Sequence, residues 1–115
     1  MPVIDVKWTG KMTAQQKNAV INNAADVVCT AIKVPAEIVN VIITEIEEGS
    51  YRFPTAVFDI SWSKNENRSK AAKAEIAEKI TEKVLEISDF TPNRVVIFFH
   101  DLEGEDVGVA GELRA

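Results

Sequence analysis

The sequence predicts an α+β fold in one domain over residues 1–115, built from two pseudo-repeats, 2–55 and 56–115. Each repeat is a βαβ unit, and together they form a four-stranded mixed sheet with both helices on one face. Three observations predict this. Phe58-Asp59-Ile60-Ser61-Trp62 echoes Ile4-Asp5-Val6-Lys7-Trp8. The echoes keep their order and spacing: Trp8 and Trp62 lie 54 residues apart, Thr13 and Ser69 56, Val39 and Val95 56. Each half also changes its hydrophobic period from strand to helix and back to strand, which calls for parallel pairing inside each unit.

The elements follow in order. Residues 3–8 alternate as a strand. Thr13-Ala14-Gln15-Gln16 has capping-box form, and Val20, Ala24, Val28 and Ile32 then recur at helical spacing. Pro35 marks the exit, and a β-rich run continues from Val39 through Ile46. In the second unit, 58–62 is the strand and Ser69 the cap. Ile76, Ile80, Val84 and Ile87 form the helical stripe, Pro92 marks the exit, and 94–99 is the last strand. The sheet face without helices should carry apolar alternate residues, which favours oligomerisation.

Composition narrows the function. The chain is 46% hydrophobic and carries a net charge of -5, which opposes a general nucleic-acid or membrane-surface binder. Cys29 is the one cysteine, so no intrachain disulfide forms, and a core role is expected for it. No signal-peptide pattern or long apolar run is present, so the expected location is cytoplasmic.

Pro2 is the residue that points to chemistry. It stands between Met1 and the first strand. Removal of Met1 makes its nitrogen a free secondary amine, a group that takes and returns protons near neutral pH. With Met1 attached, that nitrogen is a tertiary amide and no base. A proline that merely starts an edge strand is the structural alternative.

A Met-Pro start leading into two βαβ units resembles the tautomerase superfamily, which includes 4-oxalocrotonate tautomerase and macrophage migration inhibitory factor. The segments Val41-Ile42-Ile43-Thr44-Glu45, Lys33-Val34-Pro35, Asn67-Arg68-Ser69, Pro92-Asn93-Arg94-Val95, Asp101 and Val107-Gly108 carry the resemblance. It implies a homotrimer and a cofactor-independent, metal-free site. There Pro2 acts as general base or acid on a small carboxylated enol or 2-oxo acid. It also implies that Lys33 or Arg68 holds the substrate carboxylate. Arginine suits that task because its planar fork meets both oxygens. If the units are related by a two-fold axis with antiparallel first strands, Arg68 and Trp62 fall beside Pro2. Trp62 would then wall the pocket. The same axis puts Lys11 near Ala56, the counterpart of Pro2, at an end with no free amine.

The chain departs from the resemblance at several positions. Met12 and Asn40 stand where 4-oxalocrotonate tautomerase carries arginines. Val96 and Phe98 replace polar residues of macrophage migration inhibitory factor, and Ile38 replaces an aspartate of a related decarboxylase. Tyr51 matches an aromatic position but falls toward the Ala56 end. A more apolar pocket without a water-activating carboxylate favours simple proton transfer. His100 and the acidic run Glu103-Gly104-Glu105-Asp106 read as structural, and Gly108-Val109-Ala110-Gly111 as a tail passing along a neighbouring subunit. The leading expectation is a keto–enol tautomerase. The alternative is a non-catalytic trimeric binding protein on the same scaffold, and a third is a ferredoxin-like dimer with an accidental Met-Pro start.

Overall fold

Strand pairing organises the chain. The structure, a computed structural model, describes residues 1–115. The strands are β1 (Val3–Thr9), β2 (Asn40–Ile46), β3 (Ala56–Ser63) and β4 (Val95–Leu102), in the sheet order β2-β1-β3-β4. β1 pairs β2 in parallel and β3 pairs β4 in parallel, while the central pair β1·β3 is antiparallel. In that central pair Asp5 faces Asp59, Val3 faces Ser61 and Trp8 faces Ala56. A local two-fold axis therefore passes between Asp5 and Asp59 and exchanges the two βαβ units.

The helices α1 (Ala14–Ile32) and α2 (Lys70–Ile87) cover one face. Each starts as its cap dictates. The Thr13 hydroxyl accepts from the Gln16 N–H at 3.0 Å while the Gln16 side chain accepts from the Thr13 N–H at 2.9 Å, closing a capping box. The Ser69 hydroxyl accepts from the Ala72 N–H at 3.2 Å. The buried stripes are Val20, Ala24, Val28 and Ile32 on α1 and Ala72, Ile76, Ile80 and Val84 on α2. They pack on Ile4, Val6 and Trp8 of β1 and on Ala56, Phe58, Ile60 and Trp62 of β3 in one core. Cys29 packs at the rim of this core, half-buried, and its thiol faces the Asp26 carbonyl at 3.4 Å. No helix is long and apolar enough to cross a membrane.

Two expectations change in detail. The last strand reaches Leu102, three residues beyond the apolar run, because Ser61, Trp62 and Ser63 of β3 continue to pair with His100, Asp101 and Leu102. The bare sheet face is not apolar throughout. Its central strands present Asp5, Lys7, Asp59 and Ser61, and Lys7 Nζ lies 3.2 Å from Asp59 and 3.8 Å from Asp5. Apolar exposure is confined to the outer strands, at Ile42, Phe98 and Leu102. Directly opposed aspartates repel, and Lys7 offsets that repulsion.

The tail turns back on its own chain. After a 3-10 turn at Gly104–Asp106, β5 (Gly108–Val109) and β6 (Glu112–Leu113) form a short hairpin. Its two central residues, Ala110 and Gly111, have φ of 55° and 84°. Positive φ at both positions belongs to the tight turns that match strand twist.

Phe58 is fully buried between the central strand and both helices. Phe58→Ala should lower the unfolding free energy by about 3–5 kcal/mol, measured by urea denaturation at neutral pH.

Candidate functional site

Pro2 lies one residue ahead of β1, and its ring is fully buried. Its carbonyl accepts from the Asn40 N–H at 3.0 Å, which fixes the start of β2 beside it. Extending the β1·β3 register by one residue puts Pro2 opposite Trp62, itself paired with Asp101. Pro2 therefore sits at the corner where β1 begins and β3 and β4 end. The chain's amino group here belongs to Met1, and it is held below its ordinary value. Desolvation is the main cause, followed by the charges of Arg114 and then Arg68. Both effects disfavour the protonated amine.

Arg68 follows β3 in a turn that the Asn65 side chain shapes by accepting from the Asn67 N–H at 2.7 Å. The Arg68 N–H donates to the Asn65 carbonyl at 3.1 Å. Its guanidinium lies 5.7 Å from the centre of the Trp62 ring, within cation–π range. Burial lowers its pKa, with Asp101 opposing that shift, and it remains a cation at any ordinary pH. Two buried side-chain polar atoms have no hydrogen-bond partner within the chain, Arg68 Nε and Ser63 Oγ. Arg68 Nε belongs to the turn after β3, over Trp62, and Ser63 Oγ to the end of β3 on the bare face. Buried polar groups left open in this way call for a ligand or water.

Asp101 is the counter-charge of this corner, but it is occupied. It accepts from Trp62 Nε1 and from Lys73 Nζ, each at 2.5 Å. The Lys73 hydrogen bond and then that of Trp62 hold its carboxyl below the usual carboxylate range. Trp62 is 1% exposed. Within one subunit its indole lies beneath Arg68 and donates to Asp101.

Lys33 sits at the same end of the sheet, on the β2 side. It caps α1 in left-handed conformation, with φ 59° and ψ 53°, and its N–H donates to the Cys29 carbonyl. It is exposed and shares a surface depression with Glu66, Asn67, Ser69 and Glu75. The cations acting on the amino group are Arg114 and Arg68, not Lys33. The opposite end of the sheet groups Lys11, Glu45 and Tyr51 in another depression, with Ala56 in the place of Pro2. His100 lies on the bare face, 2.9 Å from Asp59, away from the Pro2 corner.

Two residues near this end of the sheet carry no signal in the sequence. Ser63 closes a strand and Arg114 lies in a short tail with no periodicity. Only the register and the fold-back of β5–β6 show where they fall. The corner thus combines the chain's amino group, two arginines that form no ion pair, and the open Arg68 Nε. Such a set can bind an anion and disfavours the protonated form of an amine.

The family model described as "Tautomerase enzyme" matches residues 2–57 and 63–115. Among solved structures, the chain is similar to Pt0534 inactivated by 2-oxo-3-pentynoate, with a TM-score of 0.87 and 19% identity over 98% of this chain and 95% of that one. It is similar to a wild-type fused 4-OT described as a symmetric trimer, Q0, with a TM-score of 0.86 and 20% identity over 98% and 95%. It also resembles a macrophage migration inhibitory factor-like protein from Entamoeba histolytica, with a TM-score of 0.81 and 12% identity over 97% of each chain. No curated protein matches by sequence. At these identities the solved structures establish the fold.

Asp101 gives a pH prediction. Its folded-state pKa is depressed, so its contribution is complete above the unfolded value and is lost as pH falls through the folded value. Asp101→Ala should therefore lower stability by about 1 kcal/mol at neutral pH, a partly exposed pair being screened. The gap to the parent chain should narrow as pH falls below the ordinary aspartate value and close only below the depressed folded value, in urea titrations run at neutral and acid pH. A gap that persists in acid would assign the loss to packing alone.

Proposed function

The chain belongs to the tautomerase family, and from that premise we propose that it is a cofactor-independent keto–enol tautomerase with Pro2 as its proton carrier. Its substrate is a small carboxylated enol or 2-oxo acid. Met1 is removed first, which moves the free amine onto the Pro2 nitrogen. The observation that carries this reading is the place of Pro2 at the head of β1, opposite Trp62, whose ring holds the Arg68 guanidinium with its Nε open.

The chemistry follows from that setting. An amine whose protonated form is disfavoured is free to accept a proton near neutral pH. Pro2 takes the proton from the enol hydroxyl, leaving an enolate. The resulting prolinium returns a proton to carbon, and the carbonyl forms. Arg68 pairs with the substrate carboxylate through its fork, and its open Nε supports that role. Lys33 is a second candidate for the same anion, approached from the β2 side. Trp62 contributes from beneath, by holding Arg68. The subunit works as a homotrimer, as the fused 4-OT relatives described as trimers suggest. Burial of the half-exposed Ile42 and Phe98 would favour such an assembly.

The alternative reading, a non-catalytic trimeric binding protein, follows if Met1 stays in place. Intact mass of untagged protein decides this first. A mass lacking Met1 is expected, and a retained Met1 excludes the proline mechanism. In the Met1-free protein, Pro2→Ala should lower kcat/KM on an enol substrate by about 10²–10⁴-fold while leaving assembly unchanged. Turnover equal to the parent's would refute Pro2 as the base. Arg68→Ala should raise KM about 10–100-fold, with a smaller change in kcat.

A further inference from the structure

We propose that Arg114, delivered by the tail hairpin and pinned across Gly104, is a second anion-binding residue of the Pro2 corner. The proposal rests on the reading of Pro2 as the reactive group.

The geometry begins where β4 ends. Pro2 stands opposite Trp62, and Trp62 opposite Asp101, so the residues that follow Leu102 leave the sheet at the Pro2 corner. There the chain makes its 3-10 turn at Gly104–Asp106, and β5–β6 carries it out and back. The Arg114 N–H then donates to two carbonyls of that turn, Gly104 at 3.1 Å and Val107 at 2.9 Å. The tail lies flat against Gly104. A Cβ there would come within 2.9 Å of the Arg114 carbonyl oxygen and 3.0 Å of Ala115 Cα and N. Only glycine allows that approach without moving backbone.

The clip places a guanidinium that nothing in the chain uses. Glu103, Glu105, Asp106 and Glu112 are all near in sequence, yet Arg114 forms no ion pair. Its charge instead reaches the amino group, where it acts together with that of Arg68. The other charged groups at this corner pair with one another, Asp101 on β4 with Lys73 on α2 and Glu103 with Lys64 at 3.6 Å. Arg68 and Arg114 thus approach Pro2 from two different elements. A small oxo-acid anion between them meets two cations, one stacked on Trp62 and one held by the tail.

The test titrates the N-terminal amine of the Met1-free protein by NMR with labelled proline, and measures KM on a small 2-oxo acid. Three variants are compared with the parent: Arg114→Ala, Arg114→Lys and Gly104→Ala. Arg114→Ala should raise the amine pKa and raise KM about tenfold, and Arg114→Lys should restore most of both because the charge remains. Gly104→Ala should reproduce Arg114→Ala with the arginine intact, since it displaces the clip. Retention of the parent amine pKa and KM by Arg114→Ala overturns the proposal, and Pro2-dependent turnover in the same sample would leave the tautomerase reading standing. A parent protein without turnover whose amine pKa still rises in Arg114→Ala overturns that reading and supports the place of Arg114.

Discussion

The antiparallel pairing of β1 with β3 is the constraint on which the rest depends. Facing Asp5 with Asp59 fixes the two-fold axis, and the axis fixes which chain ends meet. A shift of one residue would turn every side chain of a central strand to the other face. Ile4, Val6, Phe58 and Ile60 would leave the core, and Pro2 would no longer meet Trp62. The core therefore holds the register, and the register places the candidate site. The opposed aspartates at the axis are a local cost, offset by Lys7 and, for Asp59, by the His100 contact.

The duplicated halves show how one end of a symmetric scaffold becomes distinct. Glu45 with Lys17 repeats Asp101 with Lys73, each pair joining a sheet edge to the first turns of a helix. At one end Met12 is buried and its N–H donates to Glu45 at 2.8 Å. Its counterpart at the other end is Arg68, whose Nε stays open. Trp8 packs edge-on against Phe90, while Trp62 donates to Asp101 and supports a guanidinium. At the Ala56 end Met12 is packed and the Glu45 hydrogen bonds are satisfied beneath the Lys11 and Tyr51 depression. The Pro2 end keeps charge and unsatisfied polar atoms, at the place where Met1 removal would expose an amine.

Much of the fold was legible because its causes are local. Thr13 and Ser69 announce helix starts, the stripes on α1 and α2 repeat at four-residue spacing, and the Trp8–Trp62 echo marks the duplication. Pro2 was legible for the same reason, as was the placement of Arg68 once the two-fold was assumed. The remaining site features depend on contacts distant in sequence. Periodicity cannot say that Trp62 faces the core rather than a ligand, because its strand alternates on either reading. Nor can it say that the tail folds back, since that depends on a hairpin of four paired residues and on the missing Cβ of Gly104. The polar centre of the bare face escaped because Val3 and Val57 alternate there with Asp5 and Asp59.

The occupied state of Asp101 explains how a chain of net charge -5 can present a cationic corner. Asp101 acts electrostatically on Arg68 and would compete with any anionic ligand if it were free to turn toward it. Trp62 and Lys73 hold it by both carboxylate oxygens, Oδ1 and Oδ2. That leaves Arg68 stacked on the indole with no partner of its own. The remaining negative charge lies largely on exposed surfaces, where water and salt screen it within about 10 Å. Near Pro2 Arg68 lies in partly desolvated surroundings, where charge interactions are stronger than in water. The same Trp62 that closes the core thus positions the carboxylate away from the cation, and packing and electrostatics at this corner depend on one side chain.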